Sequence, residues 1–177
     1  MRIIAGSNKG RTLKAPKWEG LRPTSDKLRE TLFNILQGRI EGARVLDVFS
    51  GTGAVALEAL SRGAVSATCV DNDRRAAALI TENAALCRES ERCVIIRDVA
   101  PRALKHPLPG GPFDIVVLDP PYDFANLDEA VRDAAGQRAA DGIVILEHAS
   151  RVTPPQPDGL TLTRTVKSGD SALTFYS

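Results

Sequence analysis

The fold of this chain is decided by one stretch, Val45-Leu46-Asp47-Val48-Phe49-Ser50-Gly51-Thr52-Gly53-Ala54. Its apolar first part predicts a buried strand, and the segment that begins at Ala54 has the periodicity of a helix. The glycines between them let the backbone turn tightly and approach a ligand closely, and a helix start presents N–H donors. We therefore expect a strand, a loop and a helix, with a binding site for a nucleotide-sized molecule at the loop.

Outward from this stretch, short apolar runs alternate with helical patterns. Such alternation predicts βαβ units and a parallel sheet that helices cover on both faces. The predicted strands are residues 44–48, 66–70, 94–96, 114–118 and 142–147. The predicted helices are residues 54–62, 73–88 and 126–139, with a short helical turn at 101–105. An earlier helix is predicted to begin after Thr24 or Ser25 as N-cap and to end at Gly38.

Both ends of the chain have a different pattern. Residues 160–166 and 172–176 flank a turn-forming segment and predict a β-hairpin at one edge of the sheet. Residues 2–5 and 11–14 predict a smaller hairpin near the N-terminus. We therefore expect an α/β, Rossmann-like domain over residues 21–177, preceded by an N-terminal arm over residues 1–20. Its seven-stranded sheet should be mostly parallel, with an antiparallel C-terminal hairpin.

The composition supports one domain with a core, because 43% of the 177 residues are hydrophobic and 25% are charged. These values argue against a disordered, collagen-like or disulfide-stapled chain. No apolar run approaches the roughly 18 residues of a membrane helix, and the basic N-terminus lacks the apolar centre of a signal peptide. Three unpatterned cysteines indicate free thiols. We expect a cytoplasmic protein.

The net charge of +1 conceals an uneven distribution of charge along the chain. Residues 1–44 contain ten basic and four acidic side chains, whereas the remainder contains 13 basic and 18 acidic ones. The basic side chains of the arm and its border are Arg2, Lys9, Arg11, Lys14, Lys17 and Arg22. This asymmetry is compatible with a polyanion-binding arm and equally with a solvated basic surface.

The acids around the glycine loop indicate which cofactor it binds. Asp71 follows the second strand, 20 residues after Gly51, where a carboxylate can accept hydrogen bonds from both hydroxyls of a ribose. The run from Gly51 to Ala56 also fits the dinucleotide fingerprint, so an NAD-dependent dehydrogenase remains an alternative. Asp47, however, would repel a pyrophosphate and attract a cation.

The pattern D-x-x-x-G-x-G, followed by an acid after the next strand, resembles the motif of S-adenosylmethionine-dependent methyltransferases. The resemblance implies that Asp47 lies near the methionine part, that Gly51 and Gly53 form the loop, and that Asp71 holds the ribose. It also implies that Asp98, after the third strand, accepts a hydrogen bond from the adenine amino group. The residues that it assigns to S-adenosyl-L-methionine are Asp47, Ser50, Gly51, Gly53, Asp71, Asn72 and Asp98.

A second loop, Asp119-Pro120-Pro121-Tyr122, follows the predicted strand at residues 114–118. The prolines fix φ and remove two N–H donors, so oxygen acceptors are left at the carboxyl end of the sheet. The loop resembles the D-P-P-Y motif of methyltransferases that modify exocyclic amines of nucleobases. By that resemblance, the Asp119 carboxylate and the Pro120 carbonyl bind the amine protons, Pro121 stiffens the loop, and Tyr122 stacks on the base. No metal site is expected.

Five segments together resemble the bacterial 16S ribosomal RNA guanine-N2 methyltransferases of the RsmD type. They are Met1-Arg2-Ile3-Ile4-Ala5-Gly6, the run from Leu21 to Leu36, the two loops above, and Gly169-Asp170-Ser171-Ala172-Leu173. The resemblance implies methylation of a guanine N2 amine in 16S rRNA, free or in an assembling small-subunit particle. The sequence does not fix the oligomeric state, and we expect a monomer. The resemblance also implies that Thr24 contacts the methionine end of the cofactor and that Arg22 faces the cofactor carboxylate or RNA.

Other functions stay open from the residues alone. A related methyltransferase of DNA adenine-N6 or of a protein amide shares the second loop, and an RNA-binding module without catalysis would use the arm. His106 and His148 are expected to be surface or packing residues. Trp18 is expected to anchor the arm by packing, in preference to stacking on a base.

Overall fold

A computed structural model describes residues 1–18 and 25–177 of the chain. The helices are α1 (Asp26–Ile35), α2 (Ala54–Ser61), α3 (Arg74–Cys87), α4 (Ala100–Ala103) and α5 (Leu127–Ala135). The strands are β1 (Arg44–Val48), β2 (Ser66–Asp71), β3 (Cys93–Arg97), β4 (Phe113–Leu118), β5 (Arg138–Ala149), β6 (Leu162–Ser168) and β7 (Ser171–Tyr176).

The strands form one seven-stranded sheet in the order β3-β2-β1-β4-β5-β7-β6. The five strands from β3 to β5 in this order are parallel, and β7 pairs antiparallel with both β5 and β6. The predicted fold class and the C-terminal hairpin are confirmed. Because β1 lies between β2 and β4, the winding of the sheet reverses between β1 and β4. Open α/β sheets bind ligands at the carboxyl ends of the strands at this reversal.

Two hydrophobic layers bury the sheet between them, which explains why its strands are apolar on both faces. Val45 and Ile115 face one layer together with Leu57 of α2. Leu46 and Val116 face the other layer, which contains Val131 of α5. The three cysteines, Cys69, Cys87 and Cys93, are buried free thiols. None of the helices in the described ranges is long and apolar enough to cross a membrane.

The N-terminal segment turns back on itself, but it does not form the two strands that were predicted. Arg2 and Thr12 make one isolated antiparallel bridge. The N–H groups of Ile4 and Ala5 instead donate to the two carboxylate oxygens of Glu58 on α2, at 2.8 and 3.0 Å. Backbone groups that donate to α2 cannot extend a ladder, so the segment packs on the domain. The predicted boundary between residues 20 and 21 lies outside the described residues.

Gly6 shows how closely this segment approaches α2. Its φ is +82°, and a Cβ at this position would lie 1.7 Å from the carbonyl oxygen of Ser61. Only glycine allows this conformation together with this approach. The N–H of Ser7 then donates to the same carbonyl at 2.8 Å.

Helix boundaries differ from the predictions at the ends of two helices, and α1 ends at Ile35, before the predicted end at Gly38. Ser25 is the N-cap of α1, and its Oγ accepts from the N–H of Leu28 at 3.1 Å; the alternative cap, Thr24, lies outside the described residues. Helix α5 ends at Ala135, so the predicted helix over residues 126–139 is too long. Arg138 instead pairs with Phe113 at the start of β5. Pairing with the sheet thus overrides the helical propensity of this alanine-rich segment.

Candidate active site

A cavity of about 630 Å³ lies where the loops after β1, β2 and β4 meet the end of β5 and the turn between β6 and β7. It is at the carboxyl ends of the strands, at the reversal of winding. The predicted site residues that line it are Asp47, Ser50, Gly51, Asp71, Asn72, Asp119, Pro120, Pro121 and Tyr122. The fold therefore joins both loops in one site. A second cavity, of about 640 Å³, lies between α4 and α5 and contains none of the predicted residues.

Asp47 is the most deeply buried acid of the site, with 1% of its surface exposed. Its pKa is raised to about 8, mainly by burial and in smaller part by the charges of Asp119 and Asp71. The N–H of Ala56, which donates to its Oδ2 at 3.2 Å, acts in the opposite direction. A cation that enters the cavity next to this carboxyl would favour its ionised form.

The loop after β1 is held in shape by its own hydrogen bonds. The Ser50 Oγ donates to the carbonyl of Asp47 at 2.6 Å, and the N–H of Gly51 donates to the Asp71 Oδ2 at 2.9 Å. Gly53 is the N-cap of α2 with φ +76°, and a Cβ there would contact Ile80 at 3.0 Å. Gly53 therefore shapes the loop, and it is not among the described residues that line the cavity.

Asp71 has a carboxylate that is fixed from two sides. Its Oδ2 accepts from Gly51, and its Oδ1 accepts from the N–H of Asp73 at 2.9 Å. Each carboxylate oxygen can accept more than one hydrogen bond. The oriented carboxylate can therefore still accept from the hydroxyls of a ribose in the cavity.

The second loop is anchored to β1 and to the C-terminal hairpin. The N–H of Asp119 donates to the carbonyl of Val48 at 3.2 Å. The Tyr122 hydroxyl and the Ser171 Oγ form a hydrogen bond of 2.6 Å, and Tyr122 is 37% exposed at the mouth of the cavity. These two hydrogen bonds thus fix the position of the Asp119 carboxylate and the Pro120 carbonyl, with the ring of Tyr122 in the same loop.

Asp98 lies away from this arrangement. Its carboxylate accepts from the N–H of Val99 at 2.6 Å and from the Arg102 Nε at 2.8 Å. The hydrogen bond from the Arg102 side chain lowers the pKa of Asp98. Asp98 is not among the described residues that line the cavity, so the structure does not bring it together with the other predicted cofactor residues.

Several cavity residues were not among the predicted site residues. Trp18 lies against the guanidinium of Arg75, 5.0 Å from ring centre to Cζ, and both residues line the cavity. The others include Glu147 on β5 and the hairpin residues Ser168, Asp170 and Ser171. The sequence predicts a hairpin turn here and connects the Gly169–Leu173 segment with function only through a resemblance, because nothing local to it indicates a contact between Ser171 and Tyr122, 49 residues earlier.

The basic residues of the N-terminal segment are exposed. Lys14 forms an ion pair with Glu82 of α3 at 2.9 Å, so part of its charge is compensated. Arg2, Lys9, Arg11 and Lys17 also lie on the surface of this segment. Arg22 and Thr24, for which contacts with RNA and cofactor were predicted, lie outside the described residues.

Comparison with known proteins agrees with this geometry. The family described as "Conserved hypothetical protein 95" matches residues 1–177. "Ribosomal RNA small subunit methyltransferase D" of Escherichia coli is 35% identical over 179 residues, which cover 99% of this chain and 89% of the relative. The protein of the same name from Haemophilus influenzae is 39% identical over 132 residues, 74% of this chain and 68% of the relative. The chain belongs to this small-subunit methyltransferase D family.

The family assignment extends to solved structures. The "Putative methyltransferase yhhF" of Escherichia coli superimposes with a TM-score of 0.86 at 31% identity, covering 99% of this chain and 96% of that one. The RsmD-type resemblance and the methyltransferase fold are therefore confirmed. The dehydrogenase alternative is wrong, because the relatives that establish the family are methyltransferases.

The charges of the cavity fit the cofactor of methyltransferases better than a pyrophosphate. Among the described lining residues there are six acids and one base, and that base, Arg75, is already paired with Asp73 at 2.6 Å. Such a cavity attracts a sulfonium and an ammonium group and repels phosphates. The residues present thus fit S-adenosylmethionine.

Proposed function

We propose that this protein transfers a methyl group from S-adenosylmethionine to the exocyclic N2 amine of a guanine in 16S ribosomal RNA. The observation that carries the proposal is the single cavity in which Asp119-Pro120-Pro121-Tyr122 faces the loop of Asp47 and Gly51. Both loops are needed for transfer between a cationic cofactor and an amine. The relatives are named for methylation of small-subunit ribosomal RNA, which favours RNA as the substrate of this protein.

The loop after β1 and the end of β2 would hold the cofactor. When bound, S-adenosylmethionine supplies an electrophilic methyl group on its sulfonium. Asp47 would accept a hydrogen bond from the ammonium group of the methionine part, and the backbone of Ser50 and Gly51 would contact the same part. Asp71 would accept hydrogen bonds from the ribose hydroxyls. Asn72, next to Asp71 on the cavity wall, would contact the nucleoside part.

The second loop would bind and orient the target amine. The lone pair of a guanine amine is delocalised into the ring, which makes the nitrogen a poor nucleophile. Two acceptors, the Asp119 carboxylate and the Pro120 carbonyl, would bind its N–H groups and favour a pyramidal nitrogen with the lone pair aimed at the methyl group. Tyr122 would stack on the base. Positioning of this kind can supply much of the rate enhancement in an in-line displacement.

The target base has to leave its stack to reach this depth, as in other enzymes that modify bases. The exposed basic side chains of the N-terminal segment would then contact phosphates and position the RNA without specifying its sequence. We propose a cytoplasmic monomer that acts on the rRNA, free or in a partly assembled small-subunit particle.

The experiment that tests the proposal is methyl transfer from labelled S-adenosylmethionine. The acceptors are free 16S rRNA and small-subunit particles from a strain without this activity, with duplex DNA and total protein as controls. We expect label in at least one of the two RNA substrates and none in DNA or protein. Incorporation into DNA or protein alone would replace the proposal with another amine methyltransferase, and tight RNA binding without transfer would indicate a binding module.

A further inference from the structure

Glu147 is a buried acid of the cavity that has no role in the proposal above. It is 7% exposed and lines the same cavity as Asp119. It lies on β5, an interior strand of the sheet that pairs with β4 on one side and with β7 on the other. Its backbone position is therefore fixed by neighbouring strands on both sides.

The strand register places Glu147 beside Asp119. Leu118 of β4 pairs with Leu146 of β5 in parallel, and Asp119 and Glu147 are the next residues of their chains. Neighbouring strands are about 4.8 Å apart, and residues in register on parallel strands project to the same side of a sheet. The two carboxyl groups therefore enter the cavity from adjacent positions.

A second carboxyl at this place has an electrostatic cost. The charges of Asp119 and Asp71 both contribute to the raised pKa of Asp47, so these three carboxyl groups repel one another, and Glu147 adds a fourth acid to the same cavity. Active sites are where burial and like-charge pairs occur together. A ligand that presents hydrogen-bond donors to both Asp119 and Glu147 would be favoured at this place.

The chemistry of the bases decides which ligand meets this requirement. The N2 amine of guanine is adjacent to N1–H, a donor. The N6 amine of adenine and the N4 amine of cytosine are each adjacent to an unprotonated ring nitrogen, an acceptor. An ionised carboxylate only accepts hydrogen bonds, so it would bind the N1–H of guanine and repel the unprotonated ring nitrogens of adenine and cytosine.

We infer that Glu147 accepts a hydrogen bond from N1–H of the target guanine while Asp119 accepts from its N2 amine. Glu147 would therefore distinguish guanine from the other bases that carry an exocyclic amine. This inference rests on the proposed function and adds to it the residue that selects the base.

The test replaces the N1–H donor and its acceptor in turn. The modified nucleotide is mapped on RNA methylated by the wild-type protein. The rRNA is then prepared by ligation with either guanine or 2-aminopurine at the mapped position. It is used free or in particles, whichever of the two the wild-type protein methylates. 2-Aminopurine keeps the N2 amine but has an acceptor at N1. We expect wild-type kcat/KM to be at least about 100-fold higher for guanine.

The Glu147→Gln variant presents an amide that can donate to the N1 of 2-aminopurine. We expect the guanine to 2-aminopurine ratio of kcat/KM to fall at least tenfold, with the Kd for S-adenosylmethionine unchanged. The matched control is Asp141→Asn, which removes an exposed acid at the other end of β5 and should keep the wild-type ratio.

A wild-type ratio retained by Glu147→Gln would overturn the inference. The absence of any transfer to rRNA by the wild-type protein would instead overturn the proposed function. If Glu147→Gln does not fold, Glu147→Asp carries the test, because it moves the carboxylate back by one methylene. We expect its kcat/KM on guanine to fall at least tenfold at unchanged cofactor Kd, and wild-type turnover by this variant would contradict the inference.

Discussion

At the scale of single residues, the account depends on a small number of acids whose positions follow from short motifs. Asp47, Asp71 and Asp119 each lie at or near the end of a strand of a parallel sheet, and the strands bring these ends together. The sequence was sufficient to predict them because both the strand pattern and the loop are local. Glu147 was missed because, unlike these three acids, it belongs neither to a glycine or proline loop motif nor to the spacing that follows one.

Asp47 should make the stability of the protein depend on pH. Its pKa is about 8 in the folded protein, above the ordinary value of 3.8. Between about pH 4 and pH 8 the folded protein therefore keeps a proton that the unfolded chain has already released. The unfolding free energy therefore falls as pH rises through this window, by up to about 1.4 kcal/mol per pH unit.

Replacement by a neutral side chain should remove this effect. We expect Asp47→Asn to gain stability relative to the wild type as pH rises from 5 to 8, with the difference constant above the upper pKa. Urea unfolding of both proteins at each pH measures it. Parallel pH dependences for the two proteins would show that Asp47 does not hold the proton.

At the scale of elements, the C-terminal hairpin belongs to the site. The hydrogen bond of 2.6 Å between the hydroxyls of Ser171 and Tyr122 connects the start of β7 to the loop after β4. The hairpin itself was predictable from two apolar runs and a turn. Its contact with Tyr122 was not, since it depends on β7 being placed next to β5 in the sheet.

Loss of either hydroxyl should have the same consequence. We expect Ser171→Ala and Tyr122→Phe each to lower kcat about fivefold to tenfold, the equivalent of about 1 kcal/mol, because the ring of Tyr122 loses its fixed orientation. The double variant should be no worse than either single one. Ser168→Ala is the control, because Ser168 flanks the same turn but does not take part in this hydrogen bond; its effect on kcat should add to that of Tyr122→Phe. If the effects of Ser171→Ala and Tyr122→Phe are additive as well, Ser171 does not position Tyr122.

The N-terminal segment is the element in which prediction and structure differ most. Residues 2–5 and 11–14 were predicted to form two strands, but the backbone N–H groups of Ile4 and Ala5 donate to Glu58, more than 50 residues away. No local pattern indicates such a partner. The exposed Lys9 and Arg11 nevertheless remain on the surface, as the charge distribution suggested.

Charge reversal of these two residues tests the proposed contact with RNA. We expect Lys9→Glu with Arg11→Glu to weaken RNA binding and to reduce the slope of log K against log salt, because fewer counterions are released. The affinity for S-adenosylmethionine should not change. The control is Arg97→Glu with Arg164→Glu, two exposed charges elsewhere, and equal losses in both double variants would contradict a role specific to the segment.

At the scale of the whole molecule, a buried ion-pair cluster connects the N-terminal segment to the domain. Glu58 is fully buried and accepts from Ile4, Ala5 and, at 2.7 Å, from Arg62. The guanidinium of Arg29, also fully buried, lies 3.7 Å from the same carboxylate. The segment, α1 and α2 are thus held by one carboxyl group.

Removal of this carboxylate should loosen the N-terminal segment and destabilise the protein. We expect Glu58→Gln to lower the unfolding free energy by about 3 kcal/mol, because it removes a buried carboxylate next to Arg29, whose guanidinium then keeps only its ion pair with Asp26. Hydrogen exchange at the amides of Ile4 and Ala5 should accelerate more than exchange in β1. Unchanged exchange at these two amides would show that Glu58 does not hold the segment.

The overall fold was predictable because the βαβ alternation, the two loops and the terminal hairpin each have a local signal. The docking of the N-terminal segment and the early end of α5 depended on long-range contacts, whereas Asp98 accepts hydrogen bonds from its chain neighbours Val99 and Arg102. The chemistry proposed at Asp119 depends on both, because its loop motif is local and its place in the cavity depends on the sheet.

The most direct test of this claim is identification of the methylated nucleoside. RNA from a strain without the activity is incubated with the wild-type protein and S-adenosylmethionine, digested to nucleosides and analysed by mass spectrometry. The account predicts N2-methylguanosine with the wild-type protein and none with a folded Asp119→Ala variant. N6-methyladenosine as the product, or an Asp119→Ala variant as active as the wild type, would contradict it.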